Sequence, residues 1–271
     1  MAPAGPIGSV VSLWRYPVKS MMGEELNAAL FTARGVFGDR AFALLDPATG
    51  KVVSAKNPRK WGRMFDFRAS FAAPPQPGSP LPPVRVTLPD GTDLQSDRDD
   101  IGMAASQTLG HDVKFVSAAP ERPTLEEYWP DIEGLAYRET VTDEPMPQET
   151  FFDANPVLIL TTATLDALHQ AYPQGRFEVR RFRPNVVVAT DRRGFVENDW
   201  VGRTVQLGGE VALRVDMPCG RCVMTTLPQG DLPQDYGILK AAAKHNAANV
   251  GVYASVVHGG VVRRGDPVSV S

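Results

Sequence analysis

The chain has two cysteines and four histidines in 271 residues, too few for a disulfide framework. The histidines, His111, His169, His245 and His258, stand singly, so a zinc knuckle built on the cysteines would lack its second pair of ligands. No uninterrupted apolar run approaches the roughly 20 residues of a membrane-spanning helix. Nothing at the N-terminus resembles a charged segment followed by an apolar one. Together these absences lead to the expectation of a soluble, reduced, cytoplasmic protein with no membrane anchor. Basic charge is not in surplus either: 28 Lys and Arg against 31 Asp and Glu leave a net charge of −3. That provides no broad positive field for nucleic acid, so basic residues have to be read where they stand.

What is present is length enough for a substantial core and a run of short β segments with tight turns. Residues 7–14 read as a strand that runs into Arg15-Tyr16-Pro17-Val18-Lys19-Ser20, where Pro17 ends ladder pairing and leaves Lys19 and Ser20 at a strand exit. Strands are predicted over 24–31 and 40–45, with a turn at 35–38 between them. A hairpin turn at Asp46-Pro47-Ala48-Thr49-Gly50 then leads to a return strand over 51–55. The basic stretch 56–63 reads as a solvated surface turn. After a strand at 65–71, the prolines of 72–83 make an exposed connection, and 84–88 with 92–95 form a hairpin. Asp99 or Asp100 can cap a helix over 101–109 that Gly110 terminates. A strand at 113–116 follows, and 120–147 reads as irregular, acidic and rich in turns. The boundary between two units falls near Ala119, dividing the chain into 7–119 and 120–271.

In the second unit an apolar strand over 157–160 leads into a helix capped by Thr161 or Thr162, with Leu165, Leu168 and Tyr172 on its buried face. The basic cluster Arg180-Arg181-Phe182-Arg183-Pro184-Asn185 stands at the entrance of a strand over 186–189. Strands over 202–207 and 211–215 precede the cysteines, a helix spans 235–248, and hairpin signals over 250–270 close the chain. This half reads as a β-rich barrel with two helices.

Cys219-Gly220-Arg221-Cys222 has CxxC spacing, which supports several chemistries. A redox dithiol wants its first cysteine at a helix N-terminus in a βαβ setting, whereas this stretch follows one strand and precedes an apolar β-like run. Both thiols are equally readable as small buried residues. A third reading is a single thiolate on a soft metal whose other ligands belong to a bound anionic cofactor. That reading asks for cations nearby, and Lys19, Arg40, Arg59, Arg183 and Arg221 all fall at strand ends or turns.

Five ordered blocks, Trp14-Arg15-Tyr16-Pro17-Val18-Lys19-Ser20, Gly38-Asp39-Arg40-Ala41-Phe42, Phe182-Arg183-Pro184-Asn185, Cys219-Gly220-Arg221-Cys222 and Arg264-Gly265-Asp266-Pro267-Val268, resemble the MOSC-domain family with an N-terminal β-barrel domain. The resemblance runs from about Ile7 to Val270. It implies a mixed α+β, β-rich fold in which an N-terminal β-barrel-like domain packs on a C-terminal MOSC β-barrel domain with a few helices. It further implies a molybdenum cofactor (Mo-molybdopterin) between the domains. Cys222 is then the metal ligand, and Lys19, Ser20, Arg40, Arg183, Asn185 and Arg221 are cofactor contacts. Gly220, where mitochondrial members carry Ser, offers its backbone N–H. Ala154-Asn155 stands where they carry Thr-Ser. Asp153 is a candidate to face the metal cavity as a catalytic residue, beside its plainer reading as a turn former.

The implied activity is an oxidoreductase acting on N-hydroxylated small molecules. No four-cysteine cluster for an iron–sulfur centre is present, so the electrons are expected from a separate ferredoxin, flavoprotein or cytochrome b5-like donor. Two other readings stand beside it: a non-catalytic cofactor or sulfur carrier, and a thiol-disulfide protein.

Overall fold

The computed structural model describes residues 5–271. Its largest element is a sheet in which Val186–Ala189, Val157–Thr161, Asn249–His258, Val211–Gly220, Thr204–Leu207, Pro267–Val270 and Gly8–Arg15 lie side by side. Gly8–Arg15 also pairs with Val186–Ala189 and so closes these seven strands into a barrel. Pairing is antiparallel except between Val157–Thr161 and Val186–Ala189, which are joined through the helix Thr162–Ala171, as a parallel pair requires. Alternate residues point inward. Leu213, Val215, Val205, Leu207, Val252 and Val268 are among those buried in the barrel core, with Trp200 and Phe31 filling space beside them.

A second core gathers Val18, Met21, Leu44, Phe65, Phe67 and Val86 with the inner face of the helix Ile101–Leu109. Val223, Met224 and Leu227, which follow the cysteines in sequence, are buried in this core. The chain therefore crosses from the barrel to the second core at the cysteine stretch. The chain makes the same crossing after its opening strand, from Val10 and Leu13 in the barrel to Val18 and Met21 in the second core. A cut near Ala119 would part Gly8–Arg15 from the sheet it is hydrogen-bonded into.

Several local expectations hold. Gly110 ends its helix with φ of 73°, and the Thr161 side chain accepts a hydrogen bond from the Thr164 amide at 3.1 Å. Asp100 does stand at a helix start, but it makes no capping bond; Arg98 holds its carboxylate instead. The strand Ala43–Leu45 pairs chiefly with Lys114–Val116, and the expected return over 51–55 contributes only an isolated bridge at Val52.

The segment 120–147 is not irregular. Thr124–Trp129 and Thr140–Pro145 form a hairpin with unbroken register. Its acidic composition hides the strand signal, because the charges are neutralised from elsewhere: Lys51 pairs with Glu126 and Asp143, and Lys56 with Glu127. Nor is 56–63 a solvated turn. Pro58–Trp61 and Gly62–Asp66 are short helical turns that bury Trp61, Met64 and Phe65. The β-like run expected after Cys222 is a 3-10 turn, Val223–Thr226.

Candidate functional site

A cavity of about 740 Å³, counted out to its open mouth, lies against both cores where the chain crosses between them. Lys19, Arg40, Lys56, Arg181, Arg183 and Arg221 line it, with Asp153 as the one lining carboxylate. Cys222, Gly220, Ser20 and Asn185 complete the wall. Every sequence-derived site residue is thus brought to one place except Arg59. That guanidinium stacks on Tyr128 at 4.0 Å and pairs with Glu139 on the surface, so its expected role in cofactor binding is corrected. The reason is local: helix Pro58–Trp61 buries Trp61 and leaves Arg59 facing outward.

The backbone is held unusually at this cavity. Non-glycine residues with left-handed φ number seven among the described residues, and Ser20, Arg40 and Arg183 are three of them. Each such residue costs on the order of 1–2 kcal/mol, a cost that persists where surrounding contacts over-determine the geometry. Ala247 and Ala248 are two more, and the Ala248 carbonyl accepts the Arg221 amide at 2.7 Å.

The cations differ in what they have left to offer. Arg181 is fully buried, and its Nε, Nη1 and Nη2 all donate to backbone carbonyls, those of Arg176, Thr225, Leu227 and Pro233. Arg221 likewise donates to the Val250 and Phe182 carbonyls. Both are structural pins that contribute field rather than free donors. Arg183 spends a single N–H, on the Met21 carbonyl at 2.7 Å, and Arg40 pairs only with Asp39. Both guanidiniums lie over the Tyr16 ring, at 4.5 Å for Arg40 and 4.2 Å for Arg183. Burial, reinforced by the neighbouring Arg40 charge, pushes Arg183 down to about 10, so it stays cationic at neutral pH.

Asp39 is the hub that sequence reasoning passed over, although it stands inside the Gly38-Asp39-Arg40 block. Its buried carboxylate accepts the Tyr16 amide at 2.6 Å, the Asn185 Nδ2 at 2.9 Å and the Arg40 guanidinium. Asn185 Oδ1 in turn accepts the Leu158 amide. The Asn185 side chain is therefore spent on joining the two halves, and what it offers the cavity is position rather than a free amide.

Lys19 reaches the Phe151 carbonyl at 2.8 Å and Asp153 Oδ1 at 2.6 Å. Burial opposes ionisation of Asp153, but the Lys19 and Lys56 charges outweigh it and hold the carboxyl well below the usual range. Lys56, also absent from the sequence-derived set, pairs with the buried Glu127 at 2.9 Å.

The two thiols are unlike. Cys219 is completely buried on the barrel strand, while Cys222 is half-buried. Burial first, and Glu127 second, push the Cys222 thiol up to about 12, with Lys56 opposing. A metal that takes this sulfur must displace its proton. Among the described residues no group of three or more His, Cys, Asp and Glu side chains could hold a metal ion. The donor set is a lone thiol in a cationic cavity, and it fits a soft metal that arrives already coordinated by an anionic cofactor. The cavity's one carboxylate, Asp153, is engaged by Lys19 at 2.6 Å.

No helix among the described residues is long and apolar enough to cross a membrane. Compared with known families, residues 7–115 match the MOSC N-terminal beta barrel domain and residues 147–269 the MOSC domain. The chain is 28% identical to mitochondrial amidoxime-reducing component 1 of Xenopus laevis, covering 97% of this chain and 82% of that one. It is 28% identical to mitochondrial amidoxime reducing component 2 of Macaca fascicularis and 27% identical to that of Homo sapiens, covering 97% of this chain and 83% of each relative. These relatives are named as mitochondrial, whereas the expectation from the sequence is cytoplasmic. Among solved structures, the YuaD protein from Bacillus subtilis aligns over 97% of this chain and 94% of its own, at 12% identity and a TM-score of 0.49.

Proposed function

We propose, from the premise that this chain belongs to the MOSC-domain family and carries the family's N-terminal β-barrel domain, that it binds a molybdenum cofactor and reduces N-hydroxylated compounds. The relatives named as amidoxime-reducing components support the reaction class. The observation that carries the reading is the cavity's charge: six cationic side chains and one carboxylate around a single half-buried thiol. A phosphorylated, dithiolene-bearing cofactor would supply two-electron oxygen-transfer chemistry there.

The chain's own residues divide the remaining work. Cys222 is the protein ligand to the metal. Arg183, Arg40 and Lys56 have N–H groups to spare for anionic oxygens, which the guanidinium fork suits. Ser20, Gly220 and Asn185 shape the cradle. A carboxyl held as low as that of Asp153 is a poor proton donor near neutral pH, so its role in this reading is to hold Lys19. The overall conversion breaks an N–O bond, forms an N–H bond and releases water, consuming two protons and two electrons. We assign the electrons to a separate donor protein.

Protein made in a host that synthesises the cofactor should contain molybdenum and turn over amidoximes with a chemical reductant. Cys222→Ala should lose both, and turnover unchanged in Cys222→Ala would overturn the assignment. Release of cofactor to an apo-enzyme, with no reductase activity from any donor, would favour a carrier instead.

A further inference from the structure

We propose that a second cavity beside Cys222 selects planar, cationic N-hydroxylated substrates, with Glu144 as the specificity-determining residue. The inference rests on the functional reading above and names its substrate class.

This cavity, about 790 Å³ counted to its mouth, shares Lys56, Asp153, Gly220, Arg221 and Tyr253 with the first, so the two meet along one wall. Its remaining side is the hairpin that the sequence conceals, which contributes Glu127, Trp129 and Glu144. Register explains why these residues share a face. Leu125 opposes Glu144, Glu127 opposes Thr142 and Trp129 opposes Thr140, and residues two apart on a strand point the same way.

A relay of hydrogen bonds fixes the face. Trp129 Nε1 donates to Thr142 Oγ1 at 2.8 Å, and that hydroxyl donates to Glu144 Oε1 at 2.6 Å. The indole and the carboxylate are thereby held in one arrangement before any ligand arrives.

The charges at the cavity are already matched, with one exception among its acids. Glu127 is paired with Lys56, and Asp153 with Lys19. Arg221 directs its donors at backbone carbonyls. Glu144 has the Thr142 hydroxyl but no cationic partner among the described residues. A half-buried, oriented carboxylate beside an indole is the chemistry that receives an amidinium or guanidinium, through the two-pronged N–H fork on the carboxylate and cation–π attraction to the ring. N-hydroxyguanidines and their guanidinium products fit it, and neutral hydroxamic acids do not.

The test titrates cofactor-loaded protein with benzamidinium, and with benzamide as a neutral isostere, by calorimetry. Wild type should bind benzamidinium in preference. Glu144→Gln should weaken benzamidinium about tenfold and leave benzamide unchanged, while Glu133→Gln, on the exposed hairpin loop, should alter neither. In turnover, Glu144→Gln should raise KM for a cationic N-hydroxyguanidine at constant kcat and spare a neutral hydroxamic acid. Equal benzamidinium affinity in wild type and Glu144→Gln overturns the inference. Calorimetry needs no turnover, so the two readings fail separately. Selective benzamidinium binding without any reductase activity would sink the functional reading and the substrate role drawn from it, while keeping Glu144 as a cation-binding site. Reduction with no preference for cations would do the reverse.

Discussion

Replacing Asp39 with alanine removes the carboxylate on which both halves of the site converge. Three donors lose their acceptor: the Tyr16 amide, the Asn185 Nδ2 and the Arg40 guanidinium. Breaking a buried ion pair from one side costs about 3–5 kcal/mol, and each orphaned neutral donor about 1–3 kcal/mol. These losses share one small site and do not add. Arg40 is also 15% exposed in its side chain and can recover some solvation. The expected total is therefore about 3–5 kcal/mol, toward the large end for a point mutation. With a urea slope of about 3 kcal/mol/M for a chain of this size, the unfolding midpoint should fall by about 1 to 1.7 M. Asp39→Asn keeps one acceptor oxygen and should fall between wild type and Asp39→Ala. A midpoint shift in Asp39→Ala below about 0.3 M would refute the reasoning, because the hub would then be no more than a surface cap.

Four further outcomes are expected. Arg183→Ala should lose bound molybdenum while Arg59→Ala retains it, measured as metal per chain; loss from both would mean that general surface charge holds the cofactor. Lys19→Met tests the sign of the Asp153 shift. A depressed carboxyl contributes stability above its ordinary pKa of about 3.9, and that stability is lost as pH falls toward the folded value. The gap between wild type and Lys19→Met in urea midpoint should therefore be widest at neutral pH and narrow below about pH 4, and a gap constant with pH would contradict it. Gly251 has φ of 80°, and a Cβ added there would stand 2.6 Å from the Ile159 carbonyl oxygen, so Gly251→Ala should cost about 2–3 kcal/mol. At Gly220 an added Cβ would meet only Asn249 Oδ1, at 3.9 Å, so Gly220→Ser should stay within about 0.5 kcal/mol of wild type in a thermal melt.

Much of the site was legible before the fold. Lys19, Ser20, Arg40, Arg183, Asn185, Arg221 and Cys222 stand in short blocks whose order carries the family resemblance, and all of them line one cavity. Arg59 was misplaced because a basic residue near a turn looks alike whether its helix turns it inward or outward. Lys56 and Glu127 were missed for the complementary reason. Each is an ordinary charged residue in an ordinary stretch, and only their meeting across 71 positions gives them a role.

The order of residues along the chain was enough for whatever short-range forces govern: the β-forming runs, the Gly110 helix stop, the Thr161 cap, and the chemical types available around Cys222. Partners were a matter for the folded chain alone. Folding closed the barrel by placing Gly8–Arg15 against Val186–Ala189, built a hairpin from an acidic stretch, and left Arg183 with free donors while spending those of Arg181. Burial and hydrogen-bond allocation depend on groups far away in the chain, which no local pattern records. Cys219 and Cys222 show it at the smallest scale. Three positions apart, one is sealed on a barrel strand, and the other stands where Val223 and Met224 pull the chain into the second core.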